Sequence, residues 1–517
     1  MNSVITISPP KADSWQPLSG VTVGKDILEL LSSSMYVDPM TIYREYIQNA
    51  ADAIDEAVDQ GLLTSSNPGR VDISIDIPAR TVRILDNGIG VRRANFESQL
   101  GTFGGSLKRG SVGRGFRGVG RLSGLGYCQK LTFRTRAAGD KKISEMVWDC
   151  RKIKKLLHSN DEHWSLEDLL KEVVSIRRIS EDEETQPFFE VEMGGVIRHK
   201  NDVLLNRETI YNYLSEIAPV PFHPAFSFGP QIVESFGNKV ALGKLEIFVE
   251  GKSEPVYRPY RDLIEVDGEQ YDKFTDLEIY TLPSNDEGIA AIGWFLHHGY
   301  KGSVPDKRIG GLRVRCGNIQ IGDRDLFAET YKETRFNSWT VGELHIVDGR
   351  ITPNGRRDYF EQGVHLDNLL NHITPRIRSI TARCRESSRD RNKLQEFSRF
   401  EVLGLEKLAV VEKGLIDKGM RRTFLAQAEN ALAEMMRCVS STPFDDTLKV
   451  LLNERIAVLE RELNQVRKFE SSTETLRQIP KSKRAAYEKI FGLIYECSDN
   501  QASAQKLINR IITKLES

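Results

Sequence analysis

The sequence predicts an α+β protein in three parts, and three observations support that prediction. Residues up to about 200 mix helical and strand patterns and hold most of the glycine clusters. Residues 201–375 again alternate strand-like and helix-like segments. From residue 376 onward, glycine and strand signals nearly vanish and the sequence becomes charge-rich and helix-forming. We therefore expect two mixed domains, 1–200 and 201–375, followed by an all-α region, 376–517.

The composition is that of a soluble globular protein, with 28% charged and 39% hydrophobic residues among 517. A net charge of −1 gives no overall attraction to nucleic acid or membranes, so such contacts would need a local patch. Six scattered cysteines without a CxxC pair argue against a zinc site or a disulfide framework. No run reaches the roughly 18 apolar residues of a membrane span, and the first residues lack a signal-peptide pattern. We expect a cytoplasmic protein with no membrane contact.

Hydrophobic periodicity predicts the elements of the first part. “VGKDILELLSSSMY” and “PMTIYREYIQNAADAIDEAVDQGLL” place apolar residues three and four apart, which is typical of helices. “VDISIDIPARTVRILDNGIG” alternates apolar and polar residues on both sides of “PAR” and predicts a hairpin with one buried face. Strands are also predicted at “KLTFRTR”, “KLEIFVEG”, “GGLRVRCGNIQIG” and “VGELHIVDGRI”.

The helical region contains a short heptad pattern. Its apolar residues are Leu452, Ile456, Leu459, Leu463 and Val466. This pattern lasts about two heptads, which is shorter than the three or four that would identify a coiled coil.

A first candidate site lies in “YREYIQNAADAIDEA”, residues 43–57. Glu45, Asn49 and Asp52 are spaced i, i+4, i+7, so their side chains share one face of the predicted helix. Taken alone, this segment favours a solvated polar face, and one such motif decides little.

A second candidate is “ILDNGIG”, where Asp86 ends the last strand of the predicted hairpin. A carboxylate followed by Gly88 and Gly90 would let a flat ligand lie against the backbone while Asp86 accepts a hydrogen bond from an exocyclic amine. The alternative is a tight turn, since Asn-Gly is a common hairpin signal.

A third candidate is the glycine-rich stretch that begins “LGTFGGSLKRGSVGRGFRGVGRLSGLG” at Leu100. Dense glycine frees backbone N–H groups to approach phosphates, and the interleaved Lys and Arg add positive charge. The stretch is neither a P-loop nor a Rossmann fingerprint. A flexible surface loop is the alternative, but the coincidence of all three elements in this order is far less expected by chance than any one.

The order E-x3-N-x2-D-A, then D-x-G-x-G, then a glycine-rich segment ending in “GVGRLSGLG” resembles the GHKL ATPases. These include gyrase B, heat-shock-protein-ninety (HtpG-like) chaperones, histidine kinases, MutL proteins and microrchidia-type ATPases. The resemblance extends upstream through “VTVGKDILELLSSSMYVDPM” and downstream to “HIVDGRITPNGRRDYFEQG”, so it covers about the first 375 residues. It implies a Bergerat-type α/β sandwich ATPase domain at 1–200 and a ribosomal-S5-like transducer domain at 201–375.

The resemblance implies ATP and Mg²⁺ as cofactors and a role for each polar residue of the first helix. Glu45 would be the general base that orients and deprotonates the attacking water. Asn49 would ligate Mg²⁺ through its amide oxygen, and Asp52 would support the nucleotide pocket.

The same resemblance implies how the adenine and the phosphates are held. Asp86 would read the adenine amino group, with Gly88 and Gly90 letting the base lie close. Residues 101–117 would form a mobile lid, followed by a phosphate-binding turn at a helix N-terminus. The resemblance implies that the ATP-binding residues of the lid and turn would be Gly101, Ser106, Lys108, Gly115, Gly118, Val119 and Gly120.

One departure from the family pattern concerns the adenine side of the pocket. GHKL ATPases often place a Gly-Thr pair on a strand near the base. That pair is missing from “TQPFFEVEMGGVIRHK”, where Thr185 is the candidate substitute.

A cation from the second domain should reach the terminal phosphate, because the first domain alone would leave transition-state charge poorly compensated. The match to “NGRRDYF” implies Arg357, with Arg356 beside it. Lys301 and Lys307 are weaker candidates, and a surface salt-bridge cluster is the alternative for the arginines.

The resemblance implies an ATP-hydrolysing conformational switch that closes a lid and an N-terminal dimer on ATP to act on a protein client. We expect a homodimer with a client or a partner subunit.

The alternative is a DNA-associated clamp of microrchidia or MutL type in bacterial defence or repair, suggested by “RIRSITARCRESSRDRNK” and “RQIPKSKRAAYEK”. The neutral net charge favours solvated helix faces instead, so DNA is the less favoured partner. A non-catalytic nucleotide sensor is a third alternative, and the presence of Glu45 argues against it.

Overall fold

A computed structural model of the chain describes residues 38–101, 120–157, 165–180, 186–199, 201–240, 242–413, 415–468, 480–498 and 500–516. The described residues form two compact units. One comprises those up to Gly299 together with Ser303–Thr381, and the other comprises Tyr300–Gly302 together with those from Ala382 onward. The predicted domain boundaries at residues 200 and 375 remain predictions.

The described part of the first unit begins with helix α1 (Thr41–Asp59), which is followed by a seven-stranded sheet; the helix predicted at “VGKDILELLSSSMY” lies outside the described residues. The strands are β1 (Arg70–Asp76), β2 (Thr81–Asp86), β3 (Lys130–Arg136), β4 (Lys142–Asp149), β5 (Val174–Ser180), β6 (Phe188–Gly194) and β7 (Glu246–Val249). Their order is β5-β4-β3-β6-β2-β1-β7, with antiparallel pairing everywhere except between β1 and β7, which run parallel.

The predicted hairpin and the helix before it are confirmed. Val71 pairs with Asp86 and Asp76 with Thr81 across the hairpin, so the alternating apolar residues of both strands share one face. That face packs on the apolar stripe of α1 in one buried cluster that includes Ile47, Ala50, Ile54, Val71, Ile73, Ile75, Val82 and Ile84. The core therefore lies between the helix and the sheet.

Short helices connect these strands and continue the chain. They are α2 (Phe96–Gly101), a 3₁₀ segment (Gly120–Gly126), α3 (Cys150–Leu157), α4 (Leu166–Val173), α5 (Arg207–Ile217) and α6 (Gly229–Phe236). Ser165 and Asn206 cap α4 and α5, because their side-chain oxygens accept from the N–H groups of Asp168 and Thr209.

A second sheet of five strands follows in the same unit. After a hairpin of β8 (Leu263–Val266) and β9 (Glu269–Lys273), the strands are β10 (Asp276–Pro283), β11 (Ile289–His297), β12 (Gly311–Cys316), β13 (Ile319–Ile321) and β14 (Val341–Ile346). Their order is β10-β11-β14-β12-β13, and β12 and β14 run parallel. β14 is buried along its whole length, including Glu343 and His345.

The position of strand β7 does not follow the predicted domain boundary at residue 200. It lies in the segment predicted to belong to the second domain, yet it pairs with β1 from Arg70↔Glu246 to Ile73↔Val249. Leu245, Ile247 and Val249 are buried in the same cluster as α1. The first sheet therefore includes chain from both sides of that boundary.

The described part of the region after residue 376 is helical, as predicted. Helices α7 (Val364–Glu412), α8 (Lys418–Ser440), α9 (Asp446–Lys468), α10 (Lys481–Cys497) and α11 (Gln501–Glu516) follow one another, and the boundary between the two units falls within α7. All five heptad residues of α9 are buried. The α+β class is therefore confirmed, and no described helix is long and apolar enough to cross a membrane.

Candidate active site

Helix α1 presents the three polar residues predicted from its spacing, and Glu45 is the most buried of them. Glu45 is 8% exposed, whereas Asn49 and Asp52 are half-buried. Two guanidinium groups lie near its carboxylate, with Arg44 Nε and Arg357 Nε each 3.9 Å from Oε1. No described residue donates a hydrogen bond to this carboxylate, so its lone pairs are available to a ligand.

Gly120 lies directly against the Glu45 carboxylate. A Cβ atom at position 120 would stand 2.1 Å from Glu45 Oε2, which is far inside van der Waals contact. Tyr46, the next residue of α1, fixes the same 3₁₀ segment, because its hydroxyl donates to Arg121 O at 3.2 Å and accepts from Gly124 N at 3.1 Å. The start of this segment is therefore positioned on α1 beside Glu45.

Arg121 joins this segment to the end of α2. Its Nε donates to Leu100 O at 3.3 Å, which links the residues on either side of the predicted lid. Burial lowers the pKa of Arg121 to about 10, so its guanidinium still carries its charge at neutral pH.

Arg357 reaches Glu45 from the tip of a tight loop that follows β14. Asn354 closes this loop, since its N–H donates to Tyr359 O at 2.9 Å and its side-chain amide donates to Asp358 Oδ1 at 2.6 Å. Arg357 has φ of 57°, a left-handed conformation that costs a non-glycine residue about 1–2 kcal/mol. Strain of this kind persists where the surroundings enforce it, and it is often found at functional sites.

Arg44 holds that loop to α1. Its Nη2 donates to Arg356 O at 2.9 Å, and its Nη1 lies 3.5 Å from Arg357 O. The Arg356 side chain is exposed, so this residue contributes its backbone carbonyl to the contact. Sequence reasoning missed Arg44, because its partners lie more than three hundred residues away in the chain.

The electrostatic setting of Arg357 follows from its burial and from nearby acids. Burial lowers the pKa of Arg357, while the charges of Glu45 and Asp52 partly offset that effect.

Lys301 and Lys307 were the weaker candidates for the cation that reaches the terminal phosphate. Lys307 is exposed, and Lys301 belongs to the second unit.

Asp86 forms the second part of the site, at the end of β2. It is 5% exposed, and burial raises its pKa to about 7, although a hydrogen bond from Gly88 N at 2.9 Å acts in the opposite direction. No described residue donates to its other carboxylate oxygen. Asp86 can therefore exchange a proton near neutral pH and can accept a hydrogen bond from a ligand.

Two glycines allow the loop after Asp86 to pack closely. A Cβ at position 88 would stand 2.8 Å from the backbone of Ala53, and a Cβ at position 90 would stand 2.2 Å from Arg136 O. Gly90 also has φ of 67°. Because Ile89 N donates to Ala53 O at 3.1 Å, the loop is fixed to α1 two turns beyond Glu45.

The strand register places a hydroxyl on the same face as Asp86. Phe189 of β6 stands opposite Asp86, and Thr135 of β3 stands opposite Phe189. The buried Thr135 hydroxyl accepts from Val91 N at 2.9 Å and donates to Phe188 O at 2.7 Å. Thr185, the predicted substitute for the missing threonine, lies outside the described residues.

The glycine-rich segment is described at its two ends. Gly101 ends α2, where a Cβ would meet no described atom within 4 Å, and Gly120 begins the 3₁₀ segment. Ser106, Lys108, Gly115, Gly118 and Val119 lie outside the described residues. The roles predicted for all these residues remain predictions.

The two parts of the site fit a magnesium-bound nucleoside triphosphate. Glu45 and Ala53 are eight residues apart on α1, which is about 12 Å along the helix axis. That separation is comparable with the distance from the base to the terminal phosphate of an extended nucleotide. Asn49 lies between them and offers an amide oxygen, a ligand type that Mg²⁺ accepts.

Comparison with known proteins agrees with this geometry. Residues 40–183 match the model of the histidine kinase-, DNA gyrase B-, and HSP90-like ATPase family. The match includes α1, the Asp86 loop and the glycine-rich segment, and it ends before the loop that bears Arg357. The recognition of a GHKL, HtpG-like ATPase from the sequence is therefore confirmed for this region.

Several similar relatives are named chaperone protein HtpG. The chain is 30% identical over 185 residues to that of Fusobacterium nucleatum, covering 28% of this chain and 30% of the relative. It is 34% identical over 145 residues to that of Citrobacter koseri, and 35% identical over 142 residues to that of Klebsiella pneumoniae. Each of these two matches covers 24% of this chain and 23% of the relative. The matched region therefore spans less than a third of each relative.

Proposed function

We propose that this protein is an ATP-hydrolysing conformational switch of the heat-shock-protein-ninety type, with ATP and Mg²⁺ bound along α1. The observation that supports it best is the presence of two buried carboxylates, Glu45 and Asp86, beside positions of α1 that lie about two turns apart. The family match of residues 40–183 supports ATP as the nucleotide.

In this proposal the residues of the chain bind, orient and exchange protons. Asp86 accepts a hydrogen bond from the adenine amine, and the close loop at Gly88 and Gly90 provides a flat surface for the base. Glu45 accepts a proton from the attacking water, for which it needs free lone pairs. Asn49 would hold Mg²⁺, which when bound would supply positive charge to the phosphate oxygens.

Arg357 stabilises the charge that develops on the terminal phosphate. Its side chain is 9% exposed and its Nε lies 3.9 Å from Glu45 Oε1, so a γ-phosphate placed next to Glu45 would also be next to Arg357. A guanidinium fixed in place before the reaction needs no reorganisation as charge develops. The loop at 354–360 follows β14. A contact between Arg357 and the terminal phosphate would therefore also connect the bound nucleotide to the second sheet.

For the partners and the action of the switch, we propose a scheme that is less detailed than that for the ATP site. A cytoplasmic homodimer that closes on ATP and acts on a protein client is consistent with relatives named as chaperones. The basic run in α7 gives the DNA clamp limited support, because at least three of its seven cations form ion pairs: Arg376 with Glu278, Arg389 with Asp390 and Lys393 with Glu396. A nucleotide sensor without catalysis is disfavoured by the availability of the Glu45 carboxylate.

The deciding experiment compares Mg²⁺-dependent ATP hydrolysis by the wild-type protein, Glu45→Ala and the control Glu56→Ala. Glu56 is an exposed carboxylate on the same helix. We expect Glu45→Ala to lose about 10²–10⁴-fold in turnover while still binding ATP, because it removes a general base. Glu56→Ala should match the wild type. Equal turnover in all three proteins would show that Glu45 is not the general base and that the proposal is wrong.

A further inference from the structure

A groove in the second unit has a composition unlike that of its surroundings. It has a volume of about 850 Å³ and lies along α11, with Lys413 on the other side. Nine residues line it: four are Lys or Arg, four are Gln, Asn or Thr, and one is Ala. No acidic residue is among them, although the whole chain carries a net charge of −1.

The packing of α11 directs this composition outward. Ala504, Ile508 and Ile512 form its buried stripe. The stripe of α11 beside the buried one carries neutral polar side chains. The stripe beyond that one carries Lys506, Arg510 and Lys514, which are spaced by four residues. The three cations therefore repeat about every 6 Å along the helix, over about 12 Å in total.

Several cations elsewhere in this unit form ion pairs with nearby acids. The pairs are Lys393–Glu396, Arg437–Glu434, Arg455–Glu401 and Arg467–Glu429. By contrast, Lys506 and Arg510 make no ion pair with any described residue, and the sequence of α11 contains one acidic residue, Glu516, at its end. Lys506 and Arg510 thus carry positive charge without an ion-pair partner among the described residues, which favours an anionic ligand.

The neutral lining residues indicate which kind of anion. Phosphate groups of nucleic acids are contacted by Lys and Arg and also by Ser, Thr, Asn and Gln side chains. Eight of the nine lining residues are of these types. The groove has no aromatic residue on which an unpaired base could stack, so it matches a sugar-phosphate backbone better than single-stranded bases.

We propose that this groove binds the phosphate backbone of duplex DNA without sequence preference. The α11 side of this groove carries the row of long cations, and one helix of this kind fits into the B-form major groove, which is about 12 Å wide and lies between the two phosphate backbones. The deep, narrow major groove of A-form RNA does not admit such a helix. The inference does not rest on the ATPase proposal, because every residue it uses lies in the second unit.

The test measures binding of a short fluorescein-labelled DNA duplex to the full-length protein by fluorescence anisotropy, without nucleotide. The groove variant is Lys506→Gln/Arg510→Gln. The control, Lys449→Gln/Arg461→Gln, removes the same charge from α9 outside the groove. Thermal unfolding of all three proteins verifies that each is folded before binding is compared.

We expect the wild type and the control to bind alike and the groove variant to bind at least about tenfold more weakly at 50 mM salt. The slope of log affinity against log salt concentration should be smaller by about two in the groove variant, because two phosphate contacts are lost. Duplexes of different sequence should bind equally.

Four outcomes would overturn the proposal. They are no binding by the wild type, equal binding by the folded groove variant, equal weakening in the control, and equal or tighter binding of duplex RNA, an acidic peptide or anionic vesicles at this groove. A failure of ATP hydrolysis would leave this result unaffected, so the two proposals fail independently.

Discussion

Two buried glutamates of the first unit are each surrounded by two arginines, yet their surroundings differ. Glu343 in β14 accepts from Arg315 Nε at 2.7 Å, from the Tyr260 hydroxyl at 3.1 Å and from His345 Nε2 at 3.0 Å, and it also pairs with Arg258. Glu45 has its two guanidinium nitrogens at 3.9 Å and accepts no hydrogen bond from a described residue.

The pKa values of Glu343 and His345 reflect the ion pairs and hydrogen bonds that occupy the Glu343 carboxylate. Burial alone would raise the pKa of Glu343, but Arg258 and Arg315 outweigh it and hold the pKa well below its usual range. Burial also lowers the pKa of His345 to about 4, so this imidazole is neutral at pH 7 and donates to the carboxylate. Glu343 has no capacity left for a ligand, whereas Glu45 keeps its capacity. Hydrogen-bond saturation, more than charge or burial, distinguishes the structural carboxylate of Glu343 from that of Glu45, the proposed general base.

The largest effect is expected for Glu343→Gln. Removing one charge from a buried cluster leaves Arg258 and Arg315 uncompensated, which should lower the free energy of unfolding by about 3–5 kcal/mol. Urea denaturation measures this change, and Glu167→Gln, which alters an exposed pair with Lys171, should leave stability unchanged. If Glu343→Gln and Glu167→Gln unfold at the same urea concentration, saturation of the cluster contributes nothing to stability.

A somewhat smaller effect is expected for Arg357→Ala. Turnover should fall about 10²–10³-fold, because a fixed guanidinium at the developing charge is lost, while ATP affinity changes only a few fold. Single-turnover hydrolysis and nucleotide binding should be measured together, with Arg356→Ala as the control because that side chain is exposed. A comparable fall in the control would assign the effect to the loop and not to the Arg357 side chain.

A third prediction concerns Asp86→Asn and its dependence on pH. The pKa of Asp86 is about 7 in the folded protein and near 4 in the unfolded chain, so stability is lost as pH rises between these values. The Asn variant avoids that loss and should gain about 1–3 kcal/mol above pH 7, with little gain near pH 4. It should also lose ATP binding.

Chemical denaturation of the nucleotide-free proteins at several pH values tests this prediction. The control is Asp55→Asn, which alters an exposed carboxylate on α1. A gain for Asp86→Asn that does not change with pH would contradict the raised pKa.

The smallest effect is expected for Gly120→Ala. The added methyl would collide with Glu45 Oε2 and displace the carboxylate, so turnover should fall roughly tenfold, since positioning contributes strongly to rate. Gly363→Ala is the control, because a Cβ there meets no atom. Unchanged turnover for Gly120→Ala would show that Glu45 has room to move without loss of function.

The sequence predicted the features of the site that are encoded locally. Glu45, Asn49 and Asp52 follow helical spacing, and Asp86 with its two glycines follows the end of an alternating strand. Both patterns depend on residues close in the chain, and the structure places them on α1 and at the end of β2. Arg357 was inferred through resemblance, since its own neighbourhood shows only an arginine pair.

Long-range contacts could not be predicted in the same way. Arg44 looks like an ordinary cation of a helix until its partners in the 354–360 loop are known. Thr135 lies on the Asp86 face because of a register that passes through β6, fifty residues further along the chain. The hydrogen bonds of Glu343 likewise join separate strands and loops, so its alternating strand pattern gave no sign of a buried ion cluster.

The parallel pairing of β7 with β1 has a practical consequence for dissecting the protein. A fragment cut at residue 200 would lose Ile247 and Val249 from the core and would leave the backbone groups of β1 without their neighbour on that side. Unpaired strand edges next to exposed apolar residues promote intermolecular association. A fragment extended past Val256, the last member of that buried cluster, keeps the strand and covers the edge. The smallest soluble nucleotide-binding piece of this chain should therefore end near residue 256, well beyond the family match.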